Sequence, residues 1–236
     1  MSETITIAHQ FCGPPDSGNG GYVAGRLAAF IDGPAETTLR LPPPLGRPLA
    51  VRRMPEGGAT LWDGEALVVE GKPAEPGLEP CVPVDFKAAA VAAEGFAFFE
   101  KHLLPTCFVC GIDRNAGDGL RIFPGKIDET GLMAAPWVPT ADVADGEGRV
   151  LSEFIWAALD CPGGFAVADG RLIRILLGRF SARLSAPLRV GDEAVVMAWP
   201  MGGEGRKHFA GSAVFGPLGE LVGLASATWI ELKAGF

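Results

Sequence analysis

The spacing of apolar residues along the chain predicts three helices. Residues 17–31 place apolar side chains on one helical face: Val23, Leu27, Phe30 and Ile31. A second buried helix is predicted over residues 151–161, and Pro162 is expected to break or kink it. Between them, Asp85 is suited to cap a helix over residues 86–96. The sequence therefore predicts two buried helices joined through a third.

The other periodic stretches alternate polar and apolar residues, or are short apolar runs between turn residues, as is typical of antiparallel strands. In the first half these are residues 4–7, 37–41, 49–52, 59–62 and 66–69. In the second half they are residues 119–123, 132–135, 179–186, 193–199, 206–215 and 221–232. Residues 119–123 and 132–135 are expected to pair as a hairpin. Residues 72–83 are rich in proline and glycine and predict a linker.

The two halves repeat one another in the order of helix and strands. Two short echoes support the repeat: residues 39–45 with 182–188, and residues 61–68 with 215–222. A helix wrapped by one curved sheet buries all its sides only when two such units join. The predicted fold class is therefore α+β, with one unit over residues 1–80, a linker helix over 81–104 and a second unit over 105–236.

Composition narrows the functional classes. The 236 residues are 48% apolar, which is enough for one large core or two small ones. A formal net charge of −8 argues against nucleic acid as a partner, because phosphate binding needs a basic surface. No apolar run has the length of a membrane span and the first residues do not form a signal peptide, so a cytoplasmic location is expected.

The entrance of the first helix is a candidate binding site. Small or polar residues occupy it: Ser17, Gly18, Asn19, Gly20 and Gly21. The first backbone N–H groups of the helix are therefore uncovered and could receive a partly negative ligand oxygen. The alternative is structural, with Asn19 or Ser17 capping the helix and the glycines allowing close packing.

Cysteine and histidine offer fewer candidates. Cys107 and Cys110 have the spacing of a zinc knuckle, but no second pair of ligands follows, so we expect neither a metal nor a disulfide there. Five cysteines without an export signal indicate reduced thiols. His208 lies on an alternating strand face and is interpreted as a packed or solvated residue, while His9 and His102 stand alone in the sequence.

Two spaced motifs resemble a known family. The second half has a Cys-x-x-Cys-Gly turn at residues 107–111, and Asp160 lies nine positions after Leu151. In the first half two glycines follow Asn19, and Ala28 lies nine positions after it. The chain resembles, over nearly its whole length, the hotdog-fold acyl-CoA thioesterases, specifically their double-hotdog members. Single-domain relatives have the cysteine turn, a hairpin, and a His-Gly-Gly helix with an acidic residue nine positions after the histidine.

The resemblance implies two tandem hotdog units, each a central helix wrapped by an antiparallel sheet, forming a covalent pseudo-dimer. Each half lacks what the other keeps, so it implies one composite site in which Asn19, Gly20 and Gly21 face Asp160. The glycine amides would bind the developing oxyanion. The carboxylate would activate water or attack the carbonyl itself.

The expected function is hydrolysis of an acyl-CoA or related thioester, with coenzyme A entering only as part of the substrate and with no metal. The alternative is a hotdog protein that binds an acyl ligand without turning it over, in which Asp160 would be a surface or capping carboxylate. A dehydratase is disfavoured because neither central helix carries a histidine. A homodimer of the pseudo-dimer is left open.

Overall fold

The computed structural model describes residues 3–233, in which eleven strands form one sheet. The strands are β1 (Thr4–Thr6), β2 (Ala35–Leu39), β3 (Pro48–Arg53), β4 (Ala59–Asp63), β5 (Ala66–Pro73), β6 (Gly125–Lys126), β7 (Met133–Trp137), β8 (Ile175–Leu184), β9 (Ala194–Glu204), β10 (Lys207–Phe215) and β11 (Leu221–Glu231). The α-helices are α1 (Gly20–Ala28), α2 (Phe86–Glu94) and α3 (Ser152–Ala168). None of these helices is both long and apolar enough to cross a membrane.

The sheet order is β1-β3-β4-β5-β2-β8-β11-β10-β9-β7-β6, and all neighbouring strands are antiparallel. Strands β2 and β8 form the seam, where Thr37 lies opposite Phe180 and its hydroxyl donates to the Phe180 carbonyl at 3.2 Å. The strands are arranged in the same way on the two sides of the seam. On each side the first strand of a set of four lies at the seam, followed outward by the fourth, third and second, as β2-β5-β4-β3 and as β8-β11-β10-β9. We call α1 with β1–β5 the first half and α3 with β6–β11 the second half.

Helices α1 and α3 pack against each other, and two glycines one helical turn apart allow the close approach. A Cβ atom on Gly21 would lie 2.5 Å from the Asp160 Cβ, and one on Gly25 would lie 2.7 Å from the Glu153 Cα. Any larger side chain at either position would therefore separate the helices. The core around this contact is continuous across both halves.

Helix α2 covers the opposite face of the sheet in the second half. Its Ala89 packs with Val195 and Met197 of β9 in a cluster separate from the main core. The carboxylate of Asp85 accepts a hydrogen bond from the Ala88 amide at 2.7 Å, which confirms the predicted N-cap. The segment between the halves therefore folds onto the second half.

The predicted break at Pro162 is wrong, because α3 continues to Ala168. Proline inside a helix removes one backbone hydrogen bond and costs about 3 kcal/mol. Most of α3 is buried, including Pro162 itself, and this packing offsets the local loss. Two residues before the end of the predicted segment, the Leu159 carbonyl also accepts a hydrogen bond from the Ser212 hydroxyl at 2.6 Å.

The predicted hairpin is wrong in its first strand. Residues 119–123 form no strand, and the hairpin is β6 with β7. The amide of Leu120 donates to the Phe108 carbonyl at 2.8 Å, and that of Ile122 donates to the Val109 carbonyl at 2.9 Å. The stretch is thus bonded to the cysteine turn, which takes the backbone groups that a strand would need.

Candidate active site

The start of α1 is capped by a buried asparagine. Helix α1 begins at Gly20 rather than within residues 17–19, and the Asn19 Oδ1 accepts a hydrogen bond from the Tyr22 amide at 2.9 Å. The Ser17 hydroxyl makes only a 3.5 Å contact with the Gly18 carbonyl. Of the two predicted caps, Asn19 is therefore the one observed. Its amide nitrogen remains available for a second interaction.

That second interaction is with the carboxylate predicted from the other half. Asp160 is 2% exposed, and its Oδ2 accepts hydrogen bonds from the Asn19 Nδ2 at 3.0 Å and the Gly21 amide at 2.8 Å. The structure thus brings Asn19, Gly21 and Asp160 together across the α1–α3 contact. Gly20 is adjacent in sequence, but among the described residues it gives no hydrogen bond to Asp160, and its Cα faces Leu177.

The Gly21 amide therefore has a partner that the sequence did not reveal. It was expected to bind a substrate oxyanion, whereas here it donates to the Asp160 carboxylate. The same hydrogen bond, with that from Asn19, fixes the carboxylate's orientation. The other oxygen of Asp160, Oδ1, is buried without a hydrogen-bond partner.

The surroundings of Asp160 favour its protonated form. Burial raises the pKa of Asp160 to about 7; the Gly21 hydrogen bond opposes the shift, the nearby Cys107 adds to it, and the Asn19 hydrogen bond opposes it. A buried carboxyl in this range can both accept and return a proton near neutral pH.

A cavity of about 330 Å³ lies beside this cluster. Its wall is mostly apolar and includes Leu104, Phe165, Ile173, Leu176, Trp229 and Cys161. Asp160 is not itself among the lining residues, but the Asn19 Nδ2 that donates to its carboxylate at 3.0 Å lies 3.8 Å from the Sγ of the lining residue Cys161. The close approach of α3 to Trp229 depends on two glycines: a Cβ on Gly163 would lie 3.3 Å from the indole nitrogen and one on Gly164 would lie 3.1 Å from the ring.

Unpartnered polar atoms concentrate around the same cavity. In the part of the chain that the structure describes, three buried side-chain nitrogen or oxygen atoms have no hydrogen-bond partner: His102 Nε2, Asp160 Oδ1 and Trp229 Nε1. His102 and Trp229 line the cavity, and Asp160 directly precedes the lining residue Cys161. Buried polar groups normally form hydrogen bonds, so several unpartnered polar atoms near one cavity indicate a place for a polar ligand.

His102 was not predicted to belong to the site. Its Nδ1 accepts a hydrogen bond from the Leu104 amide at 3.0 Å, so the neutral ring carries its proton on Nε2. Burial lowers the pKa of His102, which favours that neutral form. His102 and Trp229 thus each have a buried N–H group without a partner among the residues that line the cavity. His208, in contrast, pairs with Glu231 at 3.1 Å outside the cavity wall.

Three solved structures similar to this one differ in how much of the chain they cover. A conserved protein of unknown function with a hot dog fold from Alicyclobacillus acidocaldarius aligns over 98% of this chain and 92% of its own, with a TM-score of 0.62 and 11% identity. The PaaI protein of E. coli covers 52% of this chain and 87% of its own, at a TM-score of 0.45 and 12% identity. A hypothetical thioesterase from Streptococcus pneumoniae TIGR4, solved with coenzyme A, covers 47% of this chain and 87% of its own, with a TM-score of 0.42 and 10% identity.

No protein-family model matches the sequence, and the comparison with curated proteins gives no match. The similarity to the Alicyclobacillus protein covers both halves of the chain. At this level of identity the comparison bears on fold alone. It confirms the first part of the sequence resemblance: this chain has the hotdog fold.

Proposed function

We propose that the chain hydrolyses an acyl-CoA or related acyl thioester at one composite site between two hotdog units. The observation that carries the proposal is the Asp160 carboxylate, which donors from the first half hold beside an apolar cavity with two unpartnered N–H groups. An apolar cavity with a few convergent polar groups suits an acyl chain that ends in a polar reacting group.

The pseudo-dimer is part of this proposal. It is supported by the matching strand order on both sides of the β2–β8 seam and by the direct packing of α1 on α3. The starts of the two helices also correspond, because Asn19 and Leu151 are their N-cap residues. In a pair of hotdog units so arranged, the start of one central helix meets the middle of the other.

The proposed reaction uses Asp160 as a general base. A water oxygen attacks the thioester carbonyl carbon while the Asp160 carboxylate accepts the water proton at Oδ1. The negative charge moves to the carbonyl oxygen, and we assign its stabilisation to the unpartnered N–H groups of His102 and Trp229. Cleavage of the C–S bond releases the carboxylic acid and a thiolate, and the thiolate takes the proton from Asp160.

A non-catalytic acyl-binding protein is the second candidate, and one observation favours it. The two hydrogen bonds to Asp160 join α1 to α3, so the carboxylate also has a structural role. In that case the cavity would hold an acyl ligand, but no base would act on it.

Thiol release from a panel of short, medium-chain and aromatic acyl-CoA thioesters tests the proposal. Asp160→Asn keeps the shape of the side chain and should lower kcat/KM by about 10²- to 10⁴-fold. The matched control is Asp169→Asn, the same change at the end of α3, where the side chain is exposed and pairs with Lys126 at 2.6 Å. We expect Asp169→Asn to retain full turnover, because exposed ion pairs contribute little.

Acyl-CoA binding without thiol release by the unmodified protein would favour the second candidate. Equal turnover by Asp160→Asn and the unmodified protein would exclude Asp160 as the base. A loss of turnover that follows a fall in melting temperature of the same variant would show a structural role instead.

A further inference from the structure

Three cysteine thiols from distant parts of the chain meet beside the site. The Sγ atoms of Cys107, Cys110 and Cys161 all lie within 4.8 Å of one another, and those of Cys107 and Cys161 are 3.7 Å apart. In the described part of the chain this is the one group of three or more His, Cys, Asp or Glu side chains close enough to share an ion. All three are free thiols.

The spacing of the three sulfurs is suited to one zinc ion. Tetrahedral zinc bound at about 2.3 Å from each sulfur separates neighbouring sulfurs by about 3.8 Å. The Cys107–Cys161 separation of 3.7 Å equals that edge, and the upper limit of 4.8 Å for the other pairs needs a change of about 1 Å at most. Soft thiolate ligands of this kind select zinc or copper(I) over harder cations.

The cysteine turn is rigid and presents its sulfurs together. The amide of Gly111 donates to the Cys107 carbonyl at 2.8 Å, and a Cβ at Gly111 would lie 2.4 Å from that same oxygen, so only glycine fits. The Phe108 amide donates to the Cys12 carbonyl at 2.8 Å, which ties the turn to the first half. The ligands therefore need little ordering when an ion binds.

Hydrogen-bond donors lie beside two of the three sulfurs. The backbone amides of Cys110 and Val109 are directed at the Cys107 sulfur. The Asn19 Nδ2 lies 3.8 Å from the Cys161 Sγ. Donors of this kind orient and stabilise metal-bound thiolates.

The cluster is open on one side. Cys110 and Cys161 line the cavity, whereas Cys107 is fully buried behind them. A small ion can therefore reach the sulfurs from the cavity, and a fourth ligand would approach from that direction.

We propose that Cys107, Cys110 and Cys161 bind one zinc ion through three thiolates, with the fourth coordination position facing the cavity. The sequence-based expectation of a metal-free turn rested on a missing second pair of ligands. The structure supplies a third thiol from α3, 54 positions after Cys107. This inference does not depend on the proposed thioester hydrolysis.

The test measures zinc and thiol reactivity in the full chain. The protein, purified with zinc and then dialysed, should retain one zinc per chain by elemental analysis, and Cys161→Ser should reduce this by about tenfold or more. Cys81→Ser is the matched control, because Cys81 is outside the cluster and contacts Met197. It should retain zinc at the level of the unmodified protein.

Alkylation followed by mass spectrometry gives a second measurement that needs no variant. Cys161 lines the cavity, so zinc should slow its alkylation at least tenfold relative to the chelator-treated protein, while Cys81 should react at one rate in both. Cobalt substitution should add sulfur-to-cobalt charge-transfer absorption. A zinc content well below one per chain, or the same zinc content in Cys161→Ser as in the unmodified protein, would overturn the proposal. An alkylation rate of Cys161 that is the same with and without zinc, or a Cys107–Cys161 disulfide in the native protein, would also overturn it.

Discussion

The starts of the two central helices differ in their caps and in the groups that they meet on the other helix. Asn19 caps α1 with its side chain, whereas Leu151, the N-cap residue of α3, makes no side-chain cap. Nine residues further along, α1 has Ala28 and α3 has Asp160. The polar start of α1 therefore meets the Asp160 carboxyl group, whereas α1 has an alanine at the position that corresponds to Asp160.

The second position after each cap shows the same difference. Gly21 in α1 brings its backbone amide to a buried carboxylate at 2.8 Å. Its counterpart in α3 is Glu153, whose side chain lies 3.8 Å from the Arg26 Nε in a partly exposed ion pair. One helix start thus meets a buried carboxyl group, and the other forms a partly exposed ion pair. Three pairs of corresponding positions carry this difference: Asn19 and Leu151, Gly21 and Glu153, and Ala28 and Asp160.

The largest effect is expected from giving α1 the cap residue of α3. Asn19→Leu removes the cap to Tyr22 and one of the two hydrogen bonds to buried Asp160, so it should lower the free energy of unfolding by about 2–4 kcal/mol. Urea denaturation measures this change. Asn115→Leu, at an exposed asparagine, should stay within about 0.5 kcal/mol of the unmodified protein. Equal stability of the two variants would show that the Asn19 hydrogen bonds contribute nothing.

Sequence reasoning identified the parts of the site that depend on local spacing. Asn19, Gly21 and Asp160 belong to two helices with clear periodicity, and each lies at a fixed distance from a helix start. The contact between these two helices was predicted from the repeated order of helix and strands in the two halves. The repeat did not predict the order of strands in the sheet, in which β2 pairs with β5 and β8 rather than with β3.

The site residues that were not predicted from the sequence come together through long-range packing. His102 lies outside any helix or strand, and Trp229 is one of several alternating residues in β11, so neither position carries a local signal. Cys161 was overlooked because a two-residue spacing identified Cys107 and Cys110 but says nothing about a thiol on another element. The prediction of a helix break at Pro162 was wrong for a related reason. Local propensity disfavours proline inside a helix, but the burial of α3 offsets that local cost.

The next effect comes from filling the close contact that distinguishes α1. Gly21→Ala places a Cβ 2.5 Å from the Asp160 Cβ and 2.7 Å from the Trp156 carbonyl oxygen. The helices must move apart, which should lower the free energy of unfolding by about 1–3 kcal/mol and reduce thioester turnover. Thermal denaturation and thiol release measure the two effects.

The control for that change is Gly146→Ala, because a Cβ there would meet no atom within 4 Å. It should be neutral or stabilise the protein by a few tenths of a kcal/mol through the unfolded state. A Gly21→Ala variant as stable as Gly146→Ala would mean that α1 and α3 are not held at the distance described.

The smallest effect is expected at the apolar start of α3. Leu151 is 38% exposed and caps nothing, and the Phe154 amide already donates to the Leu151 carbonyl at 3.0 Å. Leu151→Asn should therefore raise the free energy of unfolding by only about 0.5–1 kcal/mol relative to Leu151→Ala, a pair of variants that separates the new cap from the lost leucine. Thiol release by Leu151→Asn should equal that of the unmodified protein, since Ala28 places no carboxylate opposite the new cap. If Leu151→Asn were no more stable than Leu151→Ala, the two helix starts would differ in backbone geometry as well as in side chains, and the correspondence between Asn19 and Leu151 would fail.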